Sequence, residues 1–479
     1  MKILLLNPPS IDNKAYIREG RCNQEQGVWA TLWPPISLAT CGAILKNGGH
    51  QVEILDCAAQ QISFNSFLTH LKKNGRYSLI VYSTATPSIN SDLILSDEIK
   101  NVDSKVKTAV FGTHVSILSD DCLAKSKTLD FVISNEPEET LKELVACLEQ
   151  GLDLSKVKGL SYKDANNVIH NEKRSFIKSL DSLPFPAWEL LNLDNYRLPL
   201  IGEKFLIISP IRGCPYSCTF CTAQTYYGKK LRKKSVRKII EEIKFCINHF
   251  GIKYFFIWAD TFTADQNYVI NFCQQVIDSK LDIKWTCNSR VDTVDQKTLN
   301  IMSKSGCWMI SYGFETGNQR ILDSIKKKIN INQSFKAVDM ANKAGIKITG
   351  HFVLGFPGEN KETLNATIKL ALSLEIDIAQ FYCAVAFPGS YIYTLAMDNG
   401  WINEVKFNDF RQDRAIMNLP GLKPSTVNEF RKKAFYKFYI RPRQIFKIIR
   451  LMRLTVIWTT IKSGIKFIKW INYNSNFNG

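Results

Sequence analysis

The chain has 479 residues, 45% apolar and 22% charged, with a net charge of +18 at neutral pH. That length exceeds one ordinary hydrophobic core and predicts two or three domains, while the composition excludes a disordered or fibrous protein. Thirteen cysteines with no secretory leader exclude a disulfide-stapled secreted scaffold and predict reduced thiols in the cytosol.

The opening run, Met1 to Leu6, is cut off by Pro8 and Pro9 and reads as a β-strand, not a signal peptide. Strand and helix then alternate. Apolar strands are predicted at 2–6, 51–55, 79–83, 108–111 and 131–134, with a helix over 34–49 that has proline near its start and glycine at its end. This rhythm predicts an α/β domain with a parallel, flavodoxin-like (Rossmann-type) sheet covered by helices on both faces. The carboxyl ends of the strands run into small or polar residues, including Pro9, Asp56, Ser83, Thr84, Gly112, His114 and Glu136. Ligands sit along that edge of open α/β sheets.

Residues 179–199 are rich in proline and aromatics without a period, and read as an ordered linker packed between domains. Alternation resumes with strands at 205–209, 254–258, 284–287, 308–312, 347–354 and 378–383, and a helix over 236–250. Six repeats predict a partial (β/α)6 TIM-like barrel, open on one side. The expected domains are 1–165, a linker at 166–203, the barrel at 204–395 and a helical region at 396–479. From Arg431 to Gly479 there are twelve Lys or Arg and no Asp or Glu. A basic amphipathic tail of this kind suits an anionic membrane surface or nucleic acid, or packs on the barrel with its lysines in water. Within its apolar-rich stretch 445–471 the longest uncharged run, 454–461, is too short to cross a bilayer, which takes roughly 20 residues.

Cys214, Cys218 and Cys221 form a C-x3-C-x2-C triplet in the loop after the first barrel strand, where β/α barrels build their active sites. Structural zinc takes four protein ligands, whereas an iron-sulfur cubane on three thiolates keeps one iron open. A zinc site completed by a distant His or Cys is the alternative. The other ten cysteines show no second metal-type spacing and read as small buried hydrophobes.

The triplet, with Phe220 before its last cysteine, resembles the signature of the radical S-adenosylmethionine (SAM) enzymes, and the whole chain resembles their cobalamin-binding subfamily. That resemblance implies a 4Fe-4S cluster on Cys214, Cys218 and Cys221, SAM chelated to the open iron, and cobalamin on the first domain. Phe220, Asp260, Arg290, Glu315 and Gly355 match the SAM-contacting elements, and Pro9, Ser83, Thr84, Gly112, His114 and Glu136 match the cobalamin edge. The histidine motif that ligates cobalt in methionine-synthase-like domains is absent, so His50 and His114 are expected at the surface or in loops. His351 is expected to be a satisfied core residue, Tyr382 and Cys383 to line the substrate channel, and no side chain is assigned as catalytic. The resemblance implies C-methylation of an unactivated carbon in a small, lipid-like molecule, with flavodoxin or ferredoxin as electron donor. Radical cyclisation of tetrapyrrole or hopanoid type is the alternative. A non-catalytic cobalamin or iron-sulfur carrier is another. The expected location is the cytoplasm, with peripheral contact at the inner face of the membrane; nucleic acid is not an expected partner.

Overall fold

The computed structural model describes residues 1–19, 24–25, 32–164 and 167–452. Strands Lys2–Asn7, Gln51–Asp56, Leu79–Ser83, Lys107–Phe111 and Phe131–Ile133 form a parallel sheet. Lys2–Asn7 lies between Gln51–Asp56 and Leu79–Ser83. Ile3 to Leu6 have no exposed surface, because helices cover both faces and a central parallel strand has no wet side. The order reverses beside Lys2–Asn7, which opens a crevice between the carboxyl ends at Asn7 and Ser83. A hairpin, Leu160–Asp164 and Asn167–His170, continues the sheet antiparallel at the far edge. Sequence analysis does not anticipate it, since its alternation of polar and apolar residues is too short to stand out.

The segment after the first strand folds down over the crevice. Arg18 is buried and donates to the Asn7 side chain at 3.1 Å, the Pro8 carbonyl at 2.9 Å and Asp92 at 2.8 Å. Asp56 accepts from Asn7 at 2.8 Å and from Tyr196 at 2.8 Å, which fastens the proline-rich stretch to the sheet.

The second sheet has six parallel strands in chain order: Phe205–Ile208, Tyr254–Ile257, Lys284–Ser289, Cys307–Glu315, Lys347–Leu354 and Ile378–Cys383. It is the open barrel expected from six repeats. Its last edge is occupied from outside by helix Pro424–Tyr439. The Tyr439 hydroxyl donates to the Ala379 carbonyl at 2.7 Å and accepts from the Ala379 amide at 3.2 Å, and Arg431 donates to the Phe381 carbonyl at 2.8 Å. These side chains satisfy edge groups that a further strand would otherwise pair. A last described helix, Pro442–Leu451, follows; the predicted tail beyond residue 452 lies outside the described residues.

The two sheets are joined by a buried charge cluster. Arg212, two residues before Cys214, donates to Glu136 at 2.9 Å and Glu138 at 2.5 Å. Arg232 donates to both Glu136 oxygens at 2.8 Å and to the Ile177 and Tyr227 carbonyls. Removing one partner leaves buried carboxylates without compensation, at a cost of about 3–5 kcal/mol. Arg212→Met is therefore expected to lower the melting temperature and to expose the 165–205 region to limited proteolysis, whereas Arg237→Met at the exposed Glu241 pair changes neither measurably.

Candidate active site

A cavity of about 260 Å³ opens at the carboxyl ends of the barrel strands, beneath the first domain. Cys214, Cys218 and Cys221 all line it. Their loop is held by its own framework: Gln224 donates to the carbonyls of Cys214 at 3.2 Å and Tyr216 at 2.9 Å, and the Cys214 amide donates to the Gly228 carbonyl at 3.1 Å. Gly213 turns at φ +93°, and a Cβ there would stand 2.3 Å from the Lys230 carbonyl, so the cysteine loop can start only from glycine. Among the described residues no group of three or more His, Cys, Asp or Glu is gathered closely enough to hold a single ion. Three thiols spread around one cavity wall fit a cluster, whose ligand sulfurs occupy separate corners. The nine other described cysteines are free, and all but the half-buried Cys147 are buried.

Arg290 is clamped by Asp292, which accepts from Nε and Nη2 at 2.8 Å each, and its guanidinium lies 3.8 Å from the centre of the Tyr216 ring. Its Nη1 is buried with no hydrogen-bond partner and belongs to the cavity wall, an arrangement suited to a carboxylate. Glu315 sits where the pairing of Cys307–Glu315 with Lys347–Leu354 slips by one residue, and it takes φ +62°. That bulge turns its carboxylate into the cavity, where Lys327 donates to it at 2.5 Å. Asp260 and Phe220 line the same space, and Phe220 packs at 5.2 Å from Phe356. Gly355 is placed differently. Its amide is bonded to Glu359 at 2.6 Å and it does not border the cavity, while its neighbours Val353 and Phe356 do.

Ser83 borders a narrow crevice with Asn7, Arg18, Glu19 and Trp33. Pro9 is buried nearby. The Thr84 hydroxyl donates to the Phe111 carbonyl at 3.0 Å. Gly112 has φ +142°, with the Thr84 carbonyl 2.5 Å from the position of an added Cβ. Small residues and a glycine cradle at the topological switch fit a large ligand laid on this edge. His114 corrects the expectation of a surface histidine: it is 1% exposed, bonded to Thr86 at 3.3 Å and covered by Phe407 at a ring distance of 4.5 Å. Glu136 stands apart from the group, since both its oxygens are committed to Arg212, Arg232 and the Ile177 amide.

His351 is likewise not a core residue. It lines the cavity with Tyr382, to whose hydroxyl its Nδ1 is hydrogen-bonded at 3.2 Å, the two rings stacked at 5.7 Å. Cys383 lines it too. Sequence reasoning missed Glu19, Trp33, Tyr216, Lys327 and Gln412. Lys327 sits in a run of three lysines that reads as a solvated face, and no signal in the sequence separates it from Lys326 and Lys328.

A family model described as the radical SAM superfamily matches residues 208–371, and one described as a B12 binding domain matches 27–145. An uncharacterized methyltransferase of Pyrococcus horikoshii is 33% identical over 450 residues, covering 94% of this chain and 95% of that protein. The chain belongs to the cobalamin-binding radical SAM enzymes. The anaerobic magnesium-protoporphyrin IX monomethyl ester cyclase of Cereibacter sphaeroides is 27% identical over 75% of this chain and 60% of its own length. In fold, the chain resembles the radical SAM methyltransferase TsrM from Kitasatospora setae, solved with cobalamin and a [4Fe-4S] cluster, with a TM-score of 0.68 at 14% identity over 83% of this chain and 75% of that one. The cofactors of this radical SAM enzyme are the 4Fe-4S cluster, SAM and cobalamin.

Two outcomes follow for this cobalamin radical SAM enzyme. Cys218→Ser removes one of three thiolates, and reconstituted iron per chain is expected to fall to background while the fold, read by far-ultraviolet circular dichroism, persists. His114 is neutral in the fold, its pKa pushed by burial from 6.5 to about 3. The unfolded chain takes up that proton near 6.5, so stability falls as pH drops through the window from 6.5 to about 3, by ~1.4 kcal/mol per unit. His114→Leu is expected to flatten the melting temperature's dependence on pH across that window by about one proton.

Proposed function

We propose that this enzyme transfers a methyl group to an unactivated carbon of a small, lipid-like substrate. The observation that carries the reading is a single cavity bordered by the three thiols, by Arg290, Asp260 and Glu315, and from the first domain by Glu19 and Trp33. One pocket thus reaches both cofactor-bearing edges, and a substrate in it touches both. Proteins named as methyltransferases are among its relatives.

When bound, the cofactors would supply the hydrogen-abstracting radical and the methyl group, and the protein supplies position and exclusion. Arg290 Nη1 would hold the carboxylate of SAM, and Asp260 and Glu315 would accept from its ammonium and hydroxyl groups. Phe220 and Phe356 close the cluster side against water, and His351 and Tyr382 form the opposite polar wall that orients the substrate. Incubating the reduced, anaerobic enzyme with SAM labelled in its methyl group and a cell extract as substrate source is expected to yield 5′-deoxyadenosine and one labelled product. A product without the label overturns methyl transfer in favour of cyclisation or oxidation, and absence of 5′-deoxyadenosine overturns the radical reading itself.

The electron comes from a flavodoxin or ferredoxin. We place the enzyme at the inner face of the membrane through helix Pro442–Leu451, whose faces are reversed. Two of its polar side chains turn inward, Gln444 donating to the Asp377 carbonyl and Lys447 to the Ile376 carbonyl at 3.1 Å, while the exposed Arg443 pairs with Glu375. Ile445, Phe446 and Ile449 point outward, Phe446 with 54% of its surface exposed. Apolar residues flanked by basic ones, in a terminal region without acids, match an anionic lipid surface. No described helix is long and apolar enough to cross a membrane. The full chain is expected to sediment with anionic vesicles and not with neutral ones, and Phe446→Glu to weaken this several-fold; equal sedimentation with both, or none, overturns the placement.

A further inference from the structure

We infer that Glu19, Trp33 and Trp258 form a cation-binding subsite, so that the substrate carries a protonated amine. This rests on the cavity being the substrate site, and it adds the chemical group by which the substrate is held.

Charge in the cavity motivates it. The lining holds three carboxylates, Glu19, Asp260 and Glu315, against two cations, Arg290 and Lys327. Lys327 is paired with Glu315, and Arg290 with Asp292 outside the lining. SAM when bound would supply an ammonium for Asp260, which leaves Glu19 as the lining carboxylate without a side-chain ion pair among the described residues. Glu19 is 7% exposed. Its two oxygens accept from the Ser37 amide at 3.0 Å and the Ser37 hydroxyl at 2.9 Å. These bonds seat it on the first turn of helix Ile36–Asn47 and leave further lone pairs on each oxygen. Among the described residues no Lys, Arg or His forms an ion pair with it; the nearby Arg212 is committed to Glu136 and Glu138. Burial pushes the carboxyl up to about 7, with Glu138 adding to the rise and Arg212 opposing it.

The surroundings complete the site. Trp33 and Trp258 stand 6.4 Å apart at 67°, and both line the cavity. Glu19 and Trp33 share the crevice beside Ser83, while Ser37 and Trp258 share a second one with Arg212 and Lys234, which are paired with Glu136, Glu138 and Glu242, so the carboxylate and the two indoles lie around one corner. Indole faces attract an ammonium, and a carboxylate behind them supplies the charge. An anionic or neutral head group gains nothing from this corner.

The test is binding, which needs no turnover. Octylammonium, octanol and octanoate are titrated by calorimetry into anaerobic enzyme loaded with cluster, cobalamin and SAM. Octylammonium is expected to bind at least about tenfold more tightly than octanol, with octanoate weakest. Glu19→Gln is expected to reduce the ammonium-over-alcohol preference to about threefold or less, Trp33→Leu to weaken it, and Glu19→Asp to retain it. If Glu19→Gln fails to load its cofactors, Trp33→Leu, which leaves the Ser37 bonds intact, carries the comparison. Equal binding of amine and alcohol by the wild type, or an undiminished preference in both variants, overturns the proposal. Either result is separable from the methyl-transfer reading, which is scored by 5′-deoxyadenosine and label.

Discussion

Two glutamates from the first sheet and two arginines from the barrel meet in a space closed to water, and the position of the cysteine loop follows from that meeting. Arg212 is part of the short strand Ile211–Arg212 and stands two residues from Cys214. Its guanidinium is held by Glu136 and Glu138 at the carboxyl edge of the first sheet, so the cluster loop and the cobalamin edge share one mechanical joint. Arg232 comes from the strand Arg232–Lys233 that pairs antiparallel with Ile211–Arg212, so both arginines approach Glu136 from one strand pair that brackets the cysteine loop. A buried pair tolerates little displacement, because any separation exposes desolvated charge. The distance across the cavity is thereby a property of the fold and not of a flexible hinge.

The same logic explains the rest of the cavity wall. Four of the polar groups that border it are each oriented by a second one: Arg290 by Asp292, Glu315 by Lys327, Glu19 by Ser37, His351 by Tyr382. Residues on strand ends or at a bulge give fixed directions, whereas free loops would not. Radical chemistry rewards such rigidity, since a misplaced neighbour offers the radical a wrong hydrogen.

Much of this was legible in the chain. Five of the six barrel strands fall within two residues of their apolar runs, because a parallel sheet buried on both faces writes itself as continuous hydrophobic stretches, while the fourth runs three residues past its predicted end to Glu315. The helix Val236–Phe250 has the bounds that its spacing predicts. The cysteine triplet, Asp260, Arg290 and Glu315 were legible as motifs at strand ends. What escaped depends on partners remote in sequence. Glu136 looks like a ligand for a cofactor until Arg212 and Arg232 arrive from the barrel. His114 looks like a loop residue until Phe407 covers it. Glu19 follows an unremarkable polar stretch, and only the fold shows that it faces the thiols across one cavity.

An incomplete barrel needs something at its open side, and here the solution connects function with the tail. A strand edge left bare would attract other strands. Helix Pro424–Tyr439 blocks it by offering a tyrosine hydroxyl and a guanidinium to the backbone of Ile378–Cys383 instead of another strand. That strand carries Tyr382 and Cys383 into the cavity. The helix also supports Gly355 through Val427, against whose methyl groups the turn after Lys347–Leu354 closes. The element that caps the edge therefore also sets one wall of the pocket, and it leads directly into the reversed helix Pro442–Leu451.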